Sequence, residues 1–120
     1  MSLSNYSENA LLNVFRNTSF AVANVYVKLH TGAPGEDGTS NAATEATRKS
    51  VSFNAASGGS MASSATVEWT NVSTTETYSH FSLWDNLTTG NCLWVGALSS
   101  SAAVTAGDTF QITSLTLTLD

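Results

Sequence analysis

The sequence predicts a mainly β domain: an antiparallel β-sandwich or flattened barrel with one short N-terminal helix and a long loop over residues 31–47. Six or seven short segments alternate apolar and polar residues, which is the period of a half-buried strand, and turn residues separate them. Only one segment has the apolar spacing of a helix. Of the 120 residues, 11% are charged, and the abundant Ser and Thr are typical of polar strand faces. A chain of this length forms a single domain, residues 1–120.

The helix is predicted over residues 3–16, where apolar residues recur every three or four positions. Ser4 is placed to cap its N-terminus, and Glu8 lies near the positive end of the helix dipole. A helix of about 13 residues is marginal by itself, so we expect its apolar stripe to pack against the rest of the fold. The stripe consists of Leu3, Tyr6, Ala10, Leu11, Val14 and Phe15.

Alternating segments predict strands at residues 23–30, 50–54 and 65–69, and a turn at residues 57–60 ends the second of them. A further strand runs from about Tyr78 to Trp84. Residues 89–91, with Gly90 at their centre, separate that strand from the apolar run 92–98 and predict a hairpin.

The last predicted strand, residues 110–119, changes phase near Thr113 and Ser114. A slip of one residue would turn the following apolar side chains to the opposite face. The slip therefore indicates either a β-bulge or a strand that passes from one sheet to another.

The loop at residues 31–47 contains three glycines and the only proline, and it has no large apolar residue. Such a segment cannot bury itself, so we expect it to be exposed. Loops of this length are generally functional or disordered. The loop is therefore a candidate contact surface.

Charge and cysteine content exclude several kinds of partner. The net charge is −5 and the pI is near 4.7, so the chain repels polyanions, and neither nucleic acid nor an anionic membrane is an expected partner. The four basic residues are scattered except for the adjacent pair Arg48 and Lys49. No apolar run approaches the roughly 20 residues of a membrane helix. Cys92 is the only cysteine, so no internal disulfide forms.

Residue types that carry catalysis or bind metals form no recognisable motif. His30 and His80 have no Cys, His or carboxylate at metal-ligand spacing. No serine stands in Gly-x-Ser-x-Gly, and Cys92 opens an apolar strand, where a cysteine is typically a small buried hydrophobe. The sequence thus predicts no enzyme, no metal, no cofactor and no small-molecule substrate.

The three tryptophans lie in predicted strands. Trp69, Trp84 and Trp94 each stand in or beside an alternating apolar pattern, which favours core packing. The alternative is a carbohydrate-binding module in which Trp84 or Trp94 stacks on sugar rings.

Several segments resemble a family of small structural proteins of tailed bacteriophages. The resemblance rests on E-N-x-L-L in the helix, a strand of the type hydrophobic-Y-V-x-L, the run H-T-G-x-P-G-E-D-G-T, an arginine, and V-x-F. These segments are residues 8–12, 25–29, 30–39, Arg48 and residues 51–53, and later matches lie at residues 69–71, 80–85 and 105–109. The stretch after Thr39 departs from the family pattern, because it is rich in alanine instead of glycine.

The resemblance implies a non-enzymatic virion protein, assembled in the cytoplasm of the bacterial host. The leading interpretation is a capsid decoration or cement protein that binds neighbouring major capsid subunits, and also other copies of itself as a small oligomer. The alternative is a tail fibre or tail-tip protein. Repeated contacts in a symmetric particle act together, so even small interfaces suffice.

Two regions are candidate partner interfaces. In and beside the loop, the candidates are Glu36, Asp37, Arg48 and Lys49, although an exposed strand entry accounts equally well for the two cations. On the helix, Leu11 and Phe15 are candidates, because one small sandwich need not cover the whole apolar stripe.

Overall fold

The structure is a computed structural model that describes residues 2–119. Within this range it contains one helix and nine strands. They are β1 (Ser2–Leu3), α1 (Asn5–Val14), β2 (Val25–His30), β3 (Lys49–Val51), β4 (Ser60–Ala62), β5 (Val67–Trp69), β6 (Glu76–Trp84), β7 (Cys92–Val104), β8 (Phe110–Ile112) and β9 (Thr116–Thr118).

The strands form three antiparallel sheets. The largest has the order β1-β7-β6-β2-β3, while β4 pairs with β9 and β5 pairs with β8. The described strands of the large sheet do not close into a barrel. The prediction of a mainly β, antiparallel domain with one short helix is therefore confirmed.

The core lies between one face of the large sheet and the two small sheets. Val27 and Leu29 of β2 are fully buried on this inner face, and Lys28 between them lies on the opposite, outer face. Phe81 and Leu83 of β6 join the same cluster. The small sheets contribute Val67, Trp69, Ile112 and Leu117. The alternation in β2 thus predicts its buried face correctly.

The phase slip in residues 110–119 marks a change of sheet. Phe110–Ile112 pairs with β5, whereas Thr116–Thr118 pairs with β4. Between them, Leu115 is buried and exchanges hydrogen bonds with Ser63: the Ser63 N–H donates to the Leu115 carbonyl, and the Leu115 N–H donates to Ser63 Oγ. Of the two predicted explanations, the strand that passes from one sheet to another is correct.

The hairpin through Gly90 is present, since β6 and β7 pair on either side of it and Gly90 has a φ of +87°. Strand β7 is longer than the predicted 92–98 and reaches Val104, because its second part pairs with the start of β6. That part contains a run of Ser and Ala without alternation, so the sequence pattern did not reveal it. The short strands β1 and β4 were also not predicted.

The helix is shorter than predicted and packs differently. Ser4 is the N-cap, as expected, and its Oγ accepts from the Ser7 N–H at 3.2 Å. Leu3 belongs to β1 and pairs with Trp94 of β7. The buried side of the N-terminal turn consists of Ser4 and Ser7, because only small side chains allow the helix to approach β7 closely. The expectation that the apolar stripe packs inward is wrong for Tyr6, Val14 and Phe15, which are exposed, whereas the other three stripe residues are half-buried.

Candidate functional site

The exposed tip of the loop lies beside the start of α1. The Asn5 N–H donates to the Glu36 carbonyl at 3.4 Å, and the side chains of Glu36 and Asp37 are exposed. Asp37 Oδ1 accepts from the Thr39 hydroxyl at 2.8 Å and from the Thr39 N–H at 3.1 Å. These hydrogen bonds hold the pKa of the Asp37 carboxyl below its usual range. The tip therefore presents two carboxylates, as the candidate interface requires.

The expectation that residues 31–47 are exposed as a whole is wrong. Residues 35–40, here called the cover segment, lie over Trp84 and Cys92 on the outer face of the large sheet. At Gly38 the fit is close: a Cβ there would stand 2.6 Å from Cys92 Sγ and 3.0 Å from Trp84 Cζ2. Further along the loop, Ala43 and Glu45 are buried.

Two carboxylates fix the second half of the loop to the body of the protein. The Glu76 carboxylate accepts from the N–H groups of Thr44 and Glu45, both at 3.0 Å. The Glu45 carboxylate in turn accepts from the Ser73 N–H at 3.0 Å. A segment without large apolar side chains is thus held by hydrogen bonds from its main-chain N–H groups to acceptors distant in sequence, which local sequence patterns do not reveal.

A chain of buried hydrogen bonds connects the loop to the sheet through His30. The ring Nδ1 lies 2.9 Å from the Ser40 carbonyl, which only accepts, so Nδ1 carries the proton. Nε2 then accepts from the Ser82 hydroxyl at 2.7 Å, and Ser82 Oγ accepts from Trp84 Nε1 at 2.7 Å. The link from the Ser82 hydroxyl to Nε2 requires a neutral His30, because a protonated Nε2 cannot accept a hydrogen bond. Burial lowers the pKa of this histidine, which favours the neutral form.

The Arg48 side chain is buried and binds other groups of the same chain. Its side chain is 8% exposed, and Nη1 donates to the carbonyls of Asn86 and Thr89 at 2.8 and 2.7 Å. The guanidinium lies 4.2 Å from the centre of the Trp84 ring, a cation–π distance. Arg48 therefore ties the β6–β7 hairpin to the outer face, while its neighbour Lys49 is half-buried on β3.

His80 and Asp85 make separate local contacts, whereas His30 is paired with the buried Ser82 hydroxyl described above. His80 Nδ1 lies 2.8 Å from the hydroxyl of adjacent Ser79, and the Asp85 carboxylate accepts from the Asn91 main-chain and side-chain N–H groups. Burial raises the pKa of Cys92 to about 11, so this side chain is a thiol at neutral pH. Among the residues described, no cluster of three His, Cys, Asp or Glu side chains is placed to hold a metal ion.

The indoles of Trp69, Trp84 and Trp94 are all buried. Trp69 Nε1 donates to the Thr47 carbonyl at 2.8 Å, and Trp84 is covered by Arg48 and Gly38. The core-packing interpretation therefore fits all three, and the stacking platform on which the carbohydrate-binding alternative depends is not exposed.

The helix exposes part of the stripe that was expected to pack, and it also exposes Leu12, which lies outside the predicted stripe. Phe15, at the C-cap, is 90% exposed and Leu12 is 66% exposed, whereas Leu11 is half-buried. Tyr6 is also exposed and contacts Phe20 edge to face, with 6.0 Å between ring centres. The end of α1 thus presents large apolar side chains to the solvent.

An apolar cleft opens near this part of the chain. It has a volume of about 320 Å³ and lies between the large sheet and the β4–β9 sheet. Its walls include Phe20, Val22, Met61, Trp94 and Leu117. We call the exposed side chains of α1 together with this cleft the apolar end of the molecule.

No helix among residues 2–119 combines the length and apolar character needed to span a membrane. The fold is that of a small antiparallel β protein with one short helix and an exposed apolar end. Residues 2–120 match the family model described as podophage GP4 fiber I protein gp80, and the chain belongs to that family. The resemblance to structural proteins of tailed bacteriophages is thereby confirmed. No curated protein matches the sequence.

Proposed function

We propose that this chain is a non-enzymatic component of the tail fibre of a podophage virion. The observation that carries the proposal is the fibre-family match, which extends over nearly the whole chain. It favours the fibre interpretation over the capsid cement interpretation. The buried indoles and the buried Cys92 thiol agree with a structural role. The partners in this role are neighbouring fibre proteins and other copies of the chain, whereas the major capsid protein is the partner in the cement alternative.

Locating the chain in the particle tests this proposal. Purified virions are separated into heads and tails, and the chain is quantified in each fraction by mass spectrometry against the major capsid protein. We expect the chain in the tail fraction at a copy number far below that of the shell. Hundreds of copies in the head fraction, in simple proportion to the major capsid protein, would instead establish a cement protein.

The carboxylates at the loop tip are the proposed polar contact with a partner. Both are exposed and belong to a chain of net charge −5, so a basic partner surface is their complement. The double variant Glu36→Gln/Asp37→Asn removes two charges, and the new Asn side chain retains an oxygen that can accept from Thr39. We expect weaker incorporation of this variant into virions.

A matched control is Glu68→Gln, which removes an exposed carboxylate on β5 whose present partner is Gln111. This variant should be incorporated like the wild-type chain. Equal incorporation of the tip variant and the control would show that the tip carboxylates do not contact the partner.

A further inference from the structure

We infer that the apolar end is a self-association surface, in which Phe15 of one copy inserts into the apolar cleft of a second copy. This inference concerns contacts between copies of the chain and does not depend on where in the virion the chain lies. Both parts of the contact, the projecting ring and the cleft, belong to the described residues.

Size is the first argument. A dry apolar cavity of about 150 Å³ is large enough to bind benzene, and the cleft measures about 320 Å³. A phenyl ring therefore fits with room for neighbouring atoms. Phe15 is the side chain that best meets this requirement, because it is 90% exposed and leaves its ring uncovered in the single copy.

Charge is the second argument. The walls of the cleft include no Asp, Glu, Lys or Arg, so a charged partner segment finds no complement there. Two copies of this acidic chain repel each other overall. This repulsion is smallest where the contacting surfaces carry no charged side chains. The occupant is thus an apolar side chain, and the chain itself supplies one.

Symmetry is the third argument. Phe20 lines the cleft and follows Phe15 by five residues, so their Cα atoms are at most about 18 Å apart. Ring and cleft therefore lie at the same end of the molecule. Two copies related by a twofold axis can insert both rings at once, which closes the assembly as a dimer.

The test measures the self-association of the full chain by sedimentation equilibrium over a range of concentrations. Phe15→Ser removes the ring, and Ala56→Phe fills the cleft from an exposed position on its wall. Leu87→Ser, at an exposed apolar residue of the β6–β7 hairpin, is the matched control. We expect both interface variants to associate at least tenfold more weakly than the wild type, and the control to associate equally. Circular dichroism verifies that each variant folds, and Val22→Asp replaces Ala56→Phe if the latter does not.

A mixture of the two variants identifies the occupant. Phe15→Ser keeps an open cleft and Ala56→Phe keeps the ring, so the mixture can form one of the two contacts that each variant alone lacks. We expect mixed dimers at concentrations where neither variant associates alone. A wild-type chain that stays monomeric up to about 1 mM overturns the inference. So does association that Phe15→Ser leaves unchanged, or a mixture that behaves like its separate components.

A photo-crosslink provides a second readout. With p-benzoylphenylalanine at position 15, we expect crosslinks between copies, in peptides that contain Met61 or Leu117. Crosslinks only within one chain would show that Phe15 occupies its own cleft in solution and would overturn the inference.

Discussion

The outer face of the large sheet and the apolar end differ in how many of their side chains have hydrogen-bonding or packing partners within the molecule. On the outer face, the cover segment, Arg48 and the His30–Ser82–Trp84 chain leave few groups without a partner. At the apolar end, Phe15 and Leu12 are exposed beside an open cleft. A glycine-rich loop can thus be a fixed part of the fold, while a helix with apolar side chains can direct them outwards.

The cover segment should be the most sensitive point of the outer face. Gly38→Ala forces a side chain into a backbone with a φ of +73° and against Cys92 Sγ. The positive φ costs about 1–2 kcal/mol and overpacking about 1–3 kcal/mol. We expect the free energy of unfolding in urea to fall by roughly 3 kcal/mol.

Gly58→Ala is the matched control for that variant. Gly58 also has a positive φ, +61°, but a Cβ there meets no atom within 4 Å. Its cost should be about 1 kcal/mol, from the backbone alone. Equal losses in the two variants would mean that residue 38 is not packed against Cys92.

Arg48 should matter for folding more than its charged neighbour. Arg48→Ala removes two charge-assisted hydrogen bonds to the Asn86 and Thr89 carbonyls and the contact with Trp84. We expect a loss of about 2–3 kcal/mol in urea unfolding. Lys49→Ala, at a half-buried position, should cost about 0.5 kcal/mol. A larger loss in Lys49→Ala than in Arg48→Ala would contradict the structural role of Arg48, which would then again be a candidate partner contact.

The His30 chain should make stability depend on pH. Burial lowers the pKa of His30 in the folded protein below its usual 6.5, so the unfolded state binds the proton more readily. Stability is therefore complete above about pH 7 and falls as the pH drops through 6.5 towards the folded pKa. Urea unfolding between pH 7.5 and 5 measures this loss. His30→Gln should remove that part of the dependence, whereas His80→Gln should retain it.

The sequence predicts the structural features that depend on residues close to one another in the chain. The inner face of β2, the hairpin at Gly90 and the Ser4 cap follow from local spacing, and the phase slip near Ser114 predicts an irregularity whose kind the structure decides. The hydrogen bonds of Glu76 and the position of Gly38 depend on residues far apart in the chain, so local patterns do not contain them. The helix was misjudged because apolar spacing predicts an apolar face but not which neighbour covers it. Its buried serines occupy the sheet side instead.

The smallest expected effect concerns the apolar end. Leu12 is 66% exposed, and Leu and Gln have similar helix propensity, so Leu12→Gln should change the stability of the monomer by less than about 0.5 kcal/mol. Leu29→Ala, in the core beneath the outer face, should cost about 3 kcal/mol by the same urea assay. Both are measured at concentrations where the chain is monomeric. A large loss in Leu12→Gln would show that α1 packs its apolar side chains within a single copy. A negligible loss would show that these side chains contribute little to the folded monomer and are free for contact between molecules. The stability losses of Leu12→Gln and Leu29→Ala therefore measure the difference between the two regions.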